Sequence, residues 1–260
     1  MVASRETMGG DSGDLLPRAE LRGLVSHLRK RALILSGALL IGFLAGFPAA
    51  GEAIELLLGS SSYRPDGVEI VILHPMEAIL LKLRIGINFG ILLSALVLMC
   101  DLTWNGRRIV AESRRSGDYG KGNFGGTLVV VFLAFLLGLM GAAYSHGVLV
   151  PLLLDYLSND AASAGLATTW QLQSWVGFIT GLYFASILGF QVPLIASILL
   201  RSELIERSSI SDNRGNLWFA GLILGALISP PDPVSMFLVA GPMLLLLEVA
   251  LVVDRITRSR

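Results

Sequence analysis

The chain has 260 residues, of which 53% are hydrophobic and only 15% charged, and its mean hydropathy is +0.69. Soluble domains carry about 25% charged residues, so this composition excludes a soluble globular enzyme, a disordered protein and a nucleic-acid-binding protein. The 20 basic and 20 acidic residues crowd into the gaps between long uncharged runs. Such a distribution is typical of an integral membrane protein.

The counts of cysteine and histidine limit the possible chemistry. The single cysteine, Cys100, excludes an internal disulfide, and three histidines provide no Cys/His cluster that could bind zinc. No nucleophile elbow occurs, and no histidine stands in a recognisable frame with serine and aspartate. We therefore expect no metal, no other cofactor and no enzymatic activity.

The chain begins with a polar segment, residues 1–31, which lacks the apolar stretch of a signal peptide. Its second half predicts the start of an amphipathic helix, because apolar side chains recur there at helical spacing, at Leu21, Leu24, Val25 and Leu28. The first apolar run covers residues 32–50 and is long enough to cross a bilayer core of ~30 Å at ~1.5 Å per residue. Pro48 and Gly51 are predicted to end this helix.

Three further runs, residues 76–104, 127–154 and 170–200, are also long enough to span a membrane. A basic hydrophilic stretch, residues 105–126, separates the first two of them. Pro193 lies within the last run and frees a backbone carbonyl about one turn before it. The fourth helix is therefore predicted to kink beside Gln191.

The final apolar stretch is divided by three prolines, Pro230, Pro231 and Pro233, which cannot lie inside a continuous helix. We therefore predict a fifth helix over residues 217–228 and a sixth over 234–254. The fifth helix has a length of only ~20 Å at ~1.5 Å per residue. Because it is shorter than a normal bilayer core, local membrane thinning is expected.

The basic residues define an orientation for these six spans. One side carries 17 of the 20 Lys and Arg residues, in the N-terminal tail, the two connecting loops on that side and the C-terminus, whereas the opposite side carries only Arg64. Lys82 and Arg84 lie in the first turns of the second span. The positive-inside rule then predicts that both termini are cytoplasmic.

Polar residues at membrane depth are the main functional candidates, because each is costly there unless it faces a cavity or a partner. Gln191 is expected to line a hollow in the bundle. Glu248 is either an intramembrane group or an interfacial residue near the cytoplasmic end, and Asp232 is an N-cap of the sixth helix that is compatible with a function. Glu77 and Arg84 open the second helix on the external side, where Glu77 is predicted to form an ion pair with Lys82 or Arg84.

Several segments together resemble the TatC family, the multi-spanning receptor subunit of the twin-arginine protein translocase. The similarity runs in order over residues 20–255. The matching segments are Leu28-Arg29-Lys30-Arg31 (family H-L-x-E-L-R-x-R), Pro75-Met76-Glu77 with Arg84 (P-x-E-x-F-F-x-x-x-K), Gly141-Ala142-Ala143-Tyr144 with Pro151 (G-x-x-F-x-Y…P), Gly189-Phe190-Gln191-Val192-Pro193 (G-x-x-F-E-x-P), and Ser229-Pro230-Pro231-Asp232 with Pro242 and Glu248 (T-P-P-D…P-x-x-x-L-Y-E).

The chain departs from the family pattern at informative positions. His27 stands where the family has an acidic residue before L-R-x-R, and Glu20 lies upstream on a similar helical face. Gln191 replaces the membrane glutamate of the fourth span. The family's P-G-L before the first cytoplasmic loop is missing, and Asp101, Trp104 and Asn105 occupy that region. Glu112 matches the glutamate of the family's E-R.

The resemblance implies an all-α membrane protein with six helices, short fifth and sixth helices and a concave bundle. Its transmembrane domain would cover residues 32–254, between an N-terminal tail (1–31) and a C-terminus (255–260), both cytoplasmic. The implied location is the plasma membrane of a prokaryotic cell. By this resemblance, twin-arginine signal peptides would bind at Glu20, His27, Arg29 and Glu112.

The implied function is that of a signal-peptide receptor and core subunit of the translocase, which exports folded proteins at the expense of the proton motive force. The implied partners are TatA-type and TatB-type single-span subunits at Gln191, Asp232 and Glu248, further copies of the chain and the lipid bilayer, but no nucleic acid. A second interpretation is a small secondary transporter or channel, in which Gln191, Glu248 and Asp232 form a polar pathway.

Overall fold

The computed structural model describes residues 18–60, 63–64, 68–113, 124–165, 169–201, 214–228 and 233–258. Helix α1 (Arg18–Gly59) and helix α2 (Glu77–Ser113) are followed by α3 (Phe124–Tyr144), a π-helical turn (Ser145–Leu149) and α4 (Val150–Ser163). Helices α5 (Leu172–Gly189), α6 (Val192–Arg201), α7 (Arg214–Ile228) and α8 (Pro233–Arg258) complete the described chain. The described chain is therefore almost entirely helical, as predicted.

Two short strands form a feature that the sequence did not predict. Strand β1 (Glu69–Val71) pairs in parallel with strand β2 (Thr169–Gln171), with Ile70 opposite Trp170. The strands directly precede the turn into α2 and the start of α5. They therefore hold together the loops at one end of these two helices.

Helices α1 and α2 approach each other closely at glycine residues. A Cβ atom built on Gly90 would lie 2.5 Å from the carbonyl oxygen of Leu39, and one built on Gly42 would lie 2.7 Å from the Cα of Gly90. Both distances are shorter than van der Waals contact, so only glycine permits this packing. Association of membrane helices depends on such close packing through small residues, since lipid supplies no hydrophobic force between apolar helices.

The first helix is longer than the sequence predicted. It was expected to end near Pro48 and Gly51, but α1 continues through Pro48 to Gly59. Pro48 is exposed, and Ile54 and Leu57 beyond it are buried in the largest core cluster at 8% and 6% exposure. Burial of this extra segment offsets the loss of the helical hydrogen bond that proline cannot make. Membrane helices tolerate such an internal proline.

The fourth predicted helix is interrupted where proline predicts it. Helix α5 ends at Gly189, a turn at Phe190 and Gln191 follows, and α6 begins at Val192, so that Pro193 occupies its first turn. The amide of Gln191 donates to the carbonyl of Leu188 at 2.9 Å within this turn. The predicted kink beside Gln191 is confirmed, in the form of a full break.

Four segments are long and apolar enough to span a membrane, namely Arg29–Gly59, Glu77–Asn105, Gly125–Ser163 and Leu172–Leu200, and a shorter apolar helix covers Met236–Val252. Helix α7 has 15 residues, a length of about 22 Å at ~1.5 Å per residue. Large apolar side chains are exposed on the helix surfaces, including Phe132 and Phe135, which are each 65% exposed. Contact with lipid explains this exposure. The break between the fifth and sixth predicted helices, at 229–232, lies outside the described residues.

Candidate functional site

Gln191 joins the helix break to α3. Its side chain is 5% exposed, and its Nε2 atom donates to the carbonyl oxygen of Ala134 at 2.9 Å. Gly138 of α3 lies beside this amide, and a Cβ built there would be 3.5 Å from Nε2, an ordinary van der Waals contact. Gln191 therefore faces the interior of the bundle and not open lipid, and α3 covers its amide. Its buried Oε1 atom has no hydrogen-bond partner among the described residues.

Tyr144 connects two of the motifs on which the resemblance rests. Its hydroxyl donates to the carbonyl oxygen of Leu238 at 2.7 Å. That carbonyl lies one turn before Pro242, which is inside α8 and has no N–H to donate to it. Tyr144 therefore satisfies the backbone acceptor that Pro242 leaves unpaired, and it ties α3 to α8.

Glu248 is part of a cluster near the start of α7. Its carboxylate forms an ion pair with Arg214 and accepts a hydrogen bond from the indole Nε1 of Trp218 at 3.1 Å. These contacts join the first turns of α7 to the C-terminal half of α8. They favour the interpretation of Glu248 as an interfacial residue.

Glu77 has partners other than the lysine and arginine that the sequence suggested. Its Oε1 atom accepts from the backbone amides of Leu73 at 2.9 Å and His74 at 2.8 Å, and from Nε2 of Gln171 at 2.7 Å. Within the described chain it forms no ion pair with Lys82 or Arg84, so that prediction is wrong. The carboxylate reaches back to the amides before its own helix, as in a capping box, and joins that turn to β2.

A second polar cluster lies beneath the same loops. The Tyr63 hydroxyl contacts His146 Nδ1 and lies 2.6 Å from the Tyr183 hydroxyl, and its backbone carbonyl accepts from Trp175 Nε1 at 3.1 Å. His146 is thus a hydrogen-bonded anchor between Tyr63 and Tyr183. Sequence reasoning did not identify Tyr63, because its partners are 83 to 120 residues away and no local pattern links them.

A cavity lies at the opposite end of α2. It has a volume of about 440 Å³ and is lined by Arg31, Val97, Cys100, Asp101, Trp104, Asn105 and Thr127. Arg31 and Asp101 form an ion pair across 3.2 Å, and Asn105 donates to the same carboxylate oxygen at 2.8 Å. Asp101 was noted in the sequence only as a residue in the place of a missing motif. The structure shows that it supplies a carboxylate to this cavity.

The remaining predicted site residues are only partly described. Arg29 is exposed on α1. Glu20 and His27 lie in α1, and Glu112 lies in the last turn of α2, but their side chains are outside the described part of the structure. Asp232 is outside the described residues altogether. The transporter interpretation requires a continuous polar pathway through Gln191 and Glu248. The described part of the chain does not show one.

Comparison with known proteins identifies the family. Residues 24–242 match the sequence profile of Sec-independent protein translocase protein (TatC). The chain is 26% identical over 243 residues to the TatC protein of Listeria innocua, covering 92% of this chain and 93% of that protein. It is 26% identical over 224 residues to TatC of Helicobacter pylori, covering 86% and 84% of the two chains.

A solved structure shares the fold. The crystal structure described as the twin arginine translocase receptor TatC superposes with a TM-score of 0.67 at 21% sequence identity, over 91% of this chain and 98% of that one. From the match over most of its length, the chain belongs to the TatC family of Sec-independent protein translocase proteins.

Proposed function

We propose that this protein is the receptor for twin-arginine signal peptides and the core subunit of a Sec-independent translocase, which exports folded proteins with energy from the proton motive force. The observation that carries the proposal is the cavity at Arg31 and Asp101. It lies at the end of α2 that the positive-inside rule assigns to the cytoplasm. A signal peptide would meet the protein on that face.

The chemistry of the cavity suits an arginine side chain. A guanidinium requires acceptors in a fixed arrangement, and a carboxylate supplies both charge and geometry. Asp101 is held in place by Asn105, one turn along α2, and already binds one guanidinium, that of Arg31. Val97 and Trp104 add apolar wall beside it. We therefore add Asp101 to Glu20 and Glu112 as proposed acceptors, with His27 and Arg29 beside them on α1.

We propose six membrane crossings with both termini in the cytoplasm, in the plasma membrane of a prokaryotic cell. The support is the distribution of 17 basic residues on one side against Arg64 on the other. Helices α7 and α8 supply the fifth and sixth crossings, and α7 requires a locally thinner bilayer.

The partners that we propose are single-span subunits of the TatA and TatB types, together with further copies of this chain. The buried Oε1 atom of Gln191 is an acceptor that lacks a partner among the described residues. Because α3 covers this side chain, a partner helix would reach Oε1 by separating α3 from the helix break, and a polar side chain on it would then satisfy the acceptor, as interhelical hydrogen bonds do in membranes. We propose that Asp232 and Glu248, which follow Gln191 in the chain, also contribute to partner binding.

Photo-crosslinking tests the receptor proposal. A twin-arginine signal peptide should crosslink to photoreactive residues at positions 97 and 104 of the full-length protein, and a twin-lysine peptide should crosslink much less. Asp101→Asn should reduce crosslinking about tenfold, the effect of losing ~1.4 kcal/mol of interaction. Asp155→Asn, in the exposed part of α4, is the matched control. Equal crosslinking of both peptides to the unaltered protein would refute the function, whereas an unchanged Asp101→Asn variant would refute only this acceptor.

A further inference from the structure

Arg84, near the start of α2, places its positive charge against the neighbouring helix α5. Its side chain is exposed, and its guanidinium lies against α5 where that helix has no side chain. A Cβ built on Gly177 would lie 2.8 Å from Nη1, and one built on Gly181 would lie 3.8 Å from Nη2. The guanidinium thus lies in a shallow groove between α2 and α5, where it approaches Gly177 closely and Gly181 at ordinary contact distance.

The charge of Arg84 is not balanced from within the described residues. The structure gives Arg84 no hydrogen bond or ion pair with any described residue. Glu77, on the same helix, is occupied by backbone amides and Gln171. Lys82 points to the other side, where its ammonium lies 3.6 Å from the position of a Cβ on Gly51 of α1. An unpaired charge on a membrane helix is costly, so an anion other than the described side chains is expected to balance it.

The position of the guanidinium relative to the helix ends indicates which kind of anion it can meet in the membrane. Arg84 follows the start of α2 by seven residues, or ~10 Å at ~1.5 Å per residue. Its side chain leans toward the N-terminal end of the helix. Gly177 follows the start of α5 by five residues, or about 7.5 Å at the same rise. The guanidinium therefore lies just below the helix ends, at the boundary between hydrocarbon and lipid headgroups, where long basic side chains snorkel to the interface.

We infer that the groove between α2 and α5 is a binding site for the phosphate group of a membrane phospholipid, held by Arg84. A guanidinium binds phosphate through two parallel hydrogen bonds, which a lysine ammonium cannot reproduce. Gly177 lets the guanidinium approach α5 closely, and the side chain stays exposed, so that it is accessible to a lipid headgroup. The inference depends on the membrane embedding of the chain and not on its recognition of signal peptides.

Native mass spectrometry of the full-length protein in detergent tests the site. Phosphatidylglycerol and phosphatidylethanolamine should each bind, and diacylglycerol, which lacks the phosphate, should not. Arg84→Gln should weaken phospholipid binding about tenfold, and Arg84→Lys by a smaller factor. Gly177→Ala should also weaken it, because the new methyl group would lie 2.8 Å from the guanidinium. Lys82→Gln, on another face of the same helix, should leave binding unchanged.

Three outcomes would overturn the inference. One is equal binding of phosphatidylglycerol to the unaltered protein and to Arg84→Gln, with unchanged thermal unfolding showing that the variant is folded. A second is displacement of the lipid by millimolar inorganic phosphate, which would identify the ligand as a free anion. The third is copurification of a second membrane protein that depends on Arg84 and leaves no lipid bound, which would replace the phosphate with a protein carboxylate.

Discussion

The hydrogen bond between Tyr144 and α8 predicts a specific energetic coupling. Tyr144→Phe removes only the hydroxyl that donates to Leu238 at 2.7 Å. The acceptor lacks the usual donor four residues further along its own helix, because residue 242 is proline. The variant therefore leaves a backbone carbonyl unsatisfied between α3 and α8.

The magnitude follows from two ranges. An unsatisfied buried polar group costs about 1–3 kcal/mol, and hydrogen bonds between membrane helices contribute an average of about 0.6 and a maximum of about 1.7 kcal/mol. We expect Tyr144→Phe to lower the free energy of unfolding by about 1–2 kcal/mol, since the site is half-buried. Tyr156→Phe, which alters an exposed phenol on α4, should have no effect.

A double-mutant cycle isolates the cause. Pro242→Ala restores an N–H that can donate to Leu238 within α8, so that Tyr144→Phe in this background should cost less than about 0.5 kcal/mol. The free energies are measured by equilibrium unfolding in mixed micelles, followed by tryptophan fluorescence. If Tyr144→Phe has the same cost in both backgrounds, the hydroxyl does not replace the donor that Pro242 lacks, and the reasoning is refuted.

Three further predictions concern packing, capping and partner association. Gly90→Ala should destabilise the protein by about 1–3 kcal/mol, since its methyl group would collide with the Leu39 carbonyl, whereas Gly37→Ala, which has nothing within 4 Å, should be neutral in the same unfolding assay. Glu77→Gln should accelerate hydrogen exchange at the two backbone amides that the carboxylate accepts from; unchanged exchange would exclude the capping role. Gln191→Leu should reduce copurification of single-span subunits, by a loss of about 0.6–2 kcal/mol, and full copurification would contradict the partner proposal.

The parts of the fold that were predictable are those fixed by local chemistry. Pro193 interrupts its helix because a proline ring always lacks a donor, and the long apolar runs became helices because membrane segments must satisfy their own backbone groups. Pro48 shows the limit of this reasoning. The same local rule predicted a helix end there, but burial of Ile54 and Leu57 in the core keeps α1 helical beyond the proline.

The candidate site was less predictable because its contacts are distant in sequence. Glu77 and Gln171 are separated by 94 residues, so local spacing could suggest only Lys82 or Arg84 as partners for the carboxylate. Asp101 drew attention in the sequence only because a family motif is missing there. Its position beside Arg31 depends on the packing of α1 against α2. That packing is set by glycines, whose role in the close contact becomes visible only in the three-dimensional structure.

The parallel pairing of β1 with β2 constrains the order in which the protein assembles in the membrane. Strand β1 leaves the ribosome directly after α1, but its partner follows only after α2, α3 and α4 have been made. The α1–α2 hairpin brings together neighbouring segments and can dock through its glycines early, because contacts close in sequence form first. The backbone groups of β1 therefore stay unpaired and hydrated until β2 has been synthesised together with α5. Completion of the small sheet is therefore a late event in biogenesis, and a chain truncated before residue 169 should insert its first helices with the loop containing β1 still open to protease.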